Sequence, residues 1–218
     1  MSDTLIDVPG WSDWLASKKL ISGKLHGSDR SNVESYFLQV HAATEAMLRR
    51  ILFIGLRLNT VTYKEANDWL YHNDETPENQ KYPKLFDSLY AGKQVIWNNV
   101  IASVPGLEKT WELWLGFSKT IRNHISHGVR KYDEDWLTCA IHIDQELLIR
   151  LDLALEPIIG GSAASDLTKL NPRLPMGQTG SDLGKITGRK KQRTPRPQVP
   201  LAHAQTELAG LPICAVTK

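Results

Sequence analysis

Cysteine is almost absent from this sequence. Only Cys139 and Cys214 occur in 218 residues, which excludes a disulfide framework and a four-cysteine zinc site and fits a reducing compartment. Long apolar runs are missing too. No stretch of about 20 apolar residues exists, so no membrane-spanning helix is expected. The opening MSDTLIDVPGWSDW carries acids and lacks the basic-then-apolar order of a secretory leader, and a cytoplasmic protein is the expectation. There is no GxxxxGK phosphate loop and no GxSxG elbow. No His/Cys/Asp/Glu group has the spacing of a metal site, so neither a metal nor another cofactor is expected. No segment reads convincingly as a strand, and no fixed-period repeat is visible.

A strong excess of one charge is also missing, since the formal net charge is +2. That balance hides an asymmetry. Residues 158–218 hold nine Lys/Arg and three Asp/Glu, which leaves 17 basic and 21 acidic residues in 1–157. The body is therefore acidic and the tail basic, so polyanion binding must come from the tail, a local patch or a dimer surface.

Composition shifts at the same place. All seven tryptophans lie at or before Trp136, and six of eleven prolines follow Pro157. Three parts result: an N-terminal extension (1–30), a helical domain (31–157), and a Pro/Gly-rich basic tail (158–218) read as disordered. Within the tail, GRKKQRTPR holds Arg189, Lys190, Lys191 and Arg193. This cluster reads either as a solvated charge block or as an arm that captures RNA.

Apolar content of 41% is enough for a core in a domain of about 150 residues. The pattern that buries it is helical. Ser31 and Glu34 form a capping-box pair, and Val33, Phe37, Val40, Thr44, Met47, Ile51, Ile54 and Leu58 follow at helical spacing. A second capping box, Thr62 and Glu65, opens a short helix to about Tyr71. PKLFDSLYAG and KQVIWNNVIAS predict two more short helices divided at Gly92. Pro105 and Gly106 break the chain again. LEKTWELWLGFSKTIRNHIS then predicts a long helix with Trp111, Trp114, Leu115 and Phe117 inward and Gly128 closing it. DEDWLTCAIHIDQELLIRLDLAL predicts a last long helix, its opening acids matched to the helix dipole. The fold class is all-α: a bundle with two or three long helices and short ones between them.

KTIRNHISHGVRKYDED, residues 119–135, concentrates the chemistry. Arg122, Asn123, His124 and His127 fall within six residues at a helix end. Such a cluster is either a solvated terminus or a phosphate-handling site. Metal-free RNA cleavage needs one group to take the 2′-hydroxyl proton and another to protonate the leaving oxygen. It also needs fixed positive charge on the phosphoryl oxygens. Histidine suits the proton roles and arginine the phosphate. On a straight helix Arg122 and His127 lie about 140° apart around the axis. Either the last turn loosens, or a twofold partner supplies a second Arg/His pair. His124 reads as a packing histidine or as a second proton carrier.

RNHISHG resembles the Arg-x4–6-His motif of the HEPN superfamily. Arg122 and His127 match its two defining positions, and Asn123 its common polar neighbour. The resemblance implies a dimerising helical bundle whose two motifs share a cleft. It also implies metal-independent endoribonuclease activity, found in toxin–antitoxin, anti-phage and RNA-processing settings, with a cognate antitoxin or defence-system protein as partner. Many members carry an acid, often with a base four residues later, on an earlier helix. TEAMLRR offers Glu45 and Arg49 there. These two read either as a structural i, i+4 ion pair or as a group in which Glu45 orients Arg122 or His127. The expected partners are RNA and a second copy of the chain. The rival expectation is a non-catalytic HEPN-like module that binds RNA, a nucleotide or a partner protein, motivated by the acidic body.

Overall fold

The structure, a computed structural model, describes residues 30–62, 64–66, 82–159 and 197–213. All regular elements among them are helical. Helix α1 spans Arg30–Leu58, α2 Tyr82–Tyr90, α3 Trp97–Ser103 and α4 Leu107–Leu113. A π-helical turn, Trp114–Ser118, joins α4 to α5 (Lys119–Ser126). Helix α6 spans Glu134–Ile159 and α7 Leu201–Ala209. The all-α expectation holds, and α1 and α6 are the two long helices that carry the bundle.

Helix α1 buries the residues its periodicity selects: Val33, Phe37, Val40, Thr44, Met47, Ile51 and Ile54 are all inside. Its main neighbour is α6, which contributes Leu137, Ile141, Leu147, Leu148, Leu151 and Leu155 to the same core. Helix α2 lies close on the C-terminal part of α1. A Cβ on Gly55 would sit 2.8 Å from the Leu89 Cβ and 2.9 Å from the Tyr90 ring, so this crossing needs a residue without a side chain. The Tyr82 and Tyr90 hydroxyls donate to the Leu48 and Ile51 carbonyls at 3.0 and 2.8 Å. Burial pushes both phenols well above their ordinary range. Trp97 packs edge-on against Tyr82, Phe86 and Trp111, with centroids 5.0 to 5.3 Å apart.

The second capping box forms as the sequence predicts. Thr62 Oγ1 accepts from the Glu65 amide at 3.2 Å, and Glu65 accepts from the Thr62 amide at 3.1 Å. The Thr62 hydroxyl also donates to that carboxylate, which holds the Glu65 carboxyl below its usual pKa. The break between α2 and α3 includes Gly92, as expected, and extends beyond it to Ile96. Ala91–Lys93 forms a 3-10 turn, and Gln94 takes the left-handed conformation at φ 57°. Helix α3 therefore starts at Trp97, whose amide donates to Asp87 Oδ1 at 2.6 Å.

The expectation of disorder throughout 158–218 is corrected at two places. Helix α6 continues through Pro157 to Ile159. Residues 197–213 form a docked segment around α7, which packs on α6 and α4. Ala204 is fully buried, and Leu201 and Leu208 are half-buried against the core. Buried Arg150 holds the end of this segment, donating to Pro212 O at 2.8 Å, to Pro105 O and to Glu146. Residues 1–29 of the N-terminal extension, residues 67–71 at the end of the expected short helix, and the cluster of Arg189, Lys190, Lys191 and Arg193 lie outside the described residues.

Candidate functional site

The candidate site lies where α1, the π turn, α5 and α6 meet. Asp144 on α6 is fully buried, and three side chains face its carboxylate. Trp114 Nε1–H donates to Oδ1 at 2.7 Å. Ser118 Oγ–H makes a short contact to Oδ2 and also lies 3.0 Å from Ala140 O. His41 Nδ1 sits 3.1 and 3.2 Å from the two oxygens, within hydrogen-bond reach of the carboxylate. A buried carboxylate is tolerated only when its lone pairs are met in this way. Trp114 and Ser118 mark the two ends of the π turn, a local widening that recurs at functional sites.

His41 is 1% exposed and stacks on Trp114 at 5.4 Å. Its other nitrogen, Nε2, faces Glu45 Oε1 at 3.8 Å, one helical turn along α1. The second oxygen of Glu45 lies 3.4 Å from Arg122 Nη2 on α5. Arg122 Nη1 donates to Asn123 Oδ1 at 3.2 Å. One polar line therefore runs from the core to the surface: Asp144, His41, Glu45, Arg122, Asn123. Its outer cation is partly open to solvent, with 37% of the Arg122 side chain exposed. Glu45 turns to His41 and Arg122. Arg49, half-buried one turn further along α1, is not its ion-pair partner.

The helix end closes by a Schellman motif. The Gly128 amide donates to Ile125 O at 3.0 Å and the Val129 amide to His124 O at 2.8 Å. Gly128 has φ 64°, a conformation open to glycine at little cost. His127 is the C-cap residue, and its side chain is exposed. His124 turns elsewhere. Its Nδ1 is 2.5 Å from the Tyr132 hydroxyl, and the two rings stack at 6.0 Å. Gln198 of the C-terminal segment donates to the same hydroxyl at 2.9 Å.

The structure thus brings Arg122, Asn123 and Glu45 together, leaves His127 open on the same helix end, and commits His124 to packing. The sequence shows His41 one turn before Glu45 and Trp114 as a core residue without assigning either to the site, and it gives Ser118 and Asp144 no role. The signal was an acid inside the apolar run AIHIDQELL, at helical spacing from Ala140, Leu147 and Leu148. Among the described residues no group of three or more His, Cys, Asp or Glu is placed to hold a metal ion, and no helix is long and apolar enough to cross a membrane. No protein-family model, no curated protein and no solved structure matches this chain.

Proposed function

We propose that this chain is a metal-independent RNA endonuclease of the HEPN type, acting as a homodimer. The observation that carries the reading is Arg122: a half-exposed guanidinium anchored on one side by Glu45, on the same helix end as an exposed histidine. A cation fixed before substrate arrives stabilises charge on a phosphoryl group without reorganising. Arg122 binds the scissile phosphate, with Asn123 and Glu45 setting its direction. The 2′-hydroxyl attacks phosphorus and gives its proton to one imidazole, while the bond to the 5′-oxygen breaks and that oxygen takes a proton from another. His127 and its twin in a second copy fill the two roles. The products are a 2′,3′-cyclic phosphate and a 5′-hydroxyl. A toxin or anti-phage role, with a cognate antitoxin or defence protein, extends the same reading.

A second reading has one observation in its favour. The body of the chain is acidic, whereas nucleic-acid contacts need cations. On that reading the chain is a non-catalytic helical module that binds RNA, a nucleotide or a protein. Cutting of tRNA, rRNA and mRNA by wild type and Arg122→Gln, in excess chelator, separates the two, with oligomeric state followed by sedimentation. A nuclease loses cutting in the variant while remaining a dimer. A binding module cuts nothing in either form.

A further inference from the structure

The geometry points to His41 and Asp144 as positioning residues for the site, acting on Arg122 through Glu45. This inference rests on the nuclease reading for its catalytic meaning, and on the structure alone for its mechanical meaning. It begins with how the Glu45 carboxylate is shared. Oε1 faces His41 Nε2 at 3.8 Å, and Oε2 faces Arg122 Nη2 at 3.4 Å. With His41 at one oxygen and Arg122 at the other, rotation of the carboxylate about its own axis is restricted. The direction in which Arg122 is held is thereby fixed from behind.

The support behind it is built at some energetic cost. His41 and Asp144 are 1% and 0% exposed, and apolar residues of similar volume fill such space at less cost. His41 Nε2 is buried without a hydrogen-bond partner and faces Glu45 Oε1 at 3.8 Å. A buried polar nitrogen left in that state calls for an explanation beyond packing. The ring is locked meanwhile: Nδ1 on Asp144, one face on Trp114, and Phe37 at 5.7 Å. Asp144 is itself held by Trp114 and Ser118 from the π turn. The rigid part of the network ends at the atom aimed at Glu45, as expected when a supporting shell orients a functional group.

The test uses the full chain and two readouts. His41→Asn keeps a donor near the Nδ1 position for Asp144 and removes the atom facing Glu45. The Arg122 guanidinium is followed by nitrogen-detected NMR, where hindered rotation gives resolved Nη signals. The inference predicts resolved signals in wild type and averaged ones in His41→Asn. It also predicts a fall in kcat of about 10²-fold for a misplaced group, with KM for RNA little changed. His41→Gln, which reaches toward Glu45, restores part of both. Unchanged Arg122 signals in a folded His41→Asn overturn the inference. If that variant does not fold, the ring signals of His41 in Arg122→Gln carry the same question: a shift supports the coupling and no shift ends it. Absence of RNA cutting by wild type would sink the nuclease reading, while the NMR result would still decide the coupling.

Discussion

Glu45 and Arg122 are 77 residues apart in the chain and meet at 3.4 Å, joining the first long helix to the end of α5. The pair is partly open to water, with 11% of the Glu45 side chain and 37% of the Arg122 side chain exposed. Exposed ion pairs contribute under about 1 kcal/mol. The pair therefore matters more for where the guanidinium points than for how stable the bundle is.

Glu45→Ala separates these two effects. The melting temperature should move little, and sedimentation should be unchanged. RNA cutting should fall by about 10²-fold, the cost of a misplaced catalytic group. Thermal melts and initial rates measured on one preparation check this. A large loss of stability with an unchanged rate would make Glu45 a structural residue.

Gly116 on the π turn meets Val199 of the C-terminal segment. The Val199 amide donates to Gly116 O at 3.1 Å, and a Cβ on Gly116 would lie 2.7 Å from Val199 Cγ2. Gly116→Ala should cost about 1–3 kcal/mol by overpacking and should speed proteolysis near residues 197–213. Val199→Ala makes room, so the double variant should be more stable than the sum of the single effects predicts. Strict additivity would contradict the contact.

Cys139 is buried on α6, and burial pushes its thiol up from 9.0 to about 11. The folded state therefore favours the neutral thiol. Its contribution to stability is fully present below pH 9 and is lost as pH rises through about 11. In a Cys214→Ser background, thiol reagents at pH 8 should label Cys139 only as fast as the protein opens. Rapid labelling of the folded protein would contradict this.

The bundle was legible because its helices obey simple rules. Apolar residues recur at helical spacing along α1, Thr62 and Glu65 cap as their types suggest, and Gly128 closes α5. The motif residues were legible as a cluster, and Glu45 as a candidate to orient Arg122. His41 and Asp144 were not, because each reads as a polar interruption of an apolar face, and only tertiary packing shows that the interruptions meet. The π turn contains Gly116, but a lone glycine inside a helical pattern does not announce a π turn. Helix α7 was hidden by its Pro-rich approach, although Leu201, Ala204 and Leu208 after Pro200 and the stop at Gly210 and Pro212 were readable signals. The break after α2 was legible at Gly92, but not that Gln94 would be the left-handed residue within it.

The most direct test of the central claim is RNA cleavage in excess EDTA by wild type and His127→Ala, with the product ends identified. Proton transfer by a placed side chain contributes about 10²- to 10⁴-fold. The account predicts wild-type cutting that leaves 2′,3′-cyclic phosphate ends, and a loss of that size in His127→Ala. Equal cutting by both proteins, or none by either on tRNA, rRNA and mRNA, would contradict it.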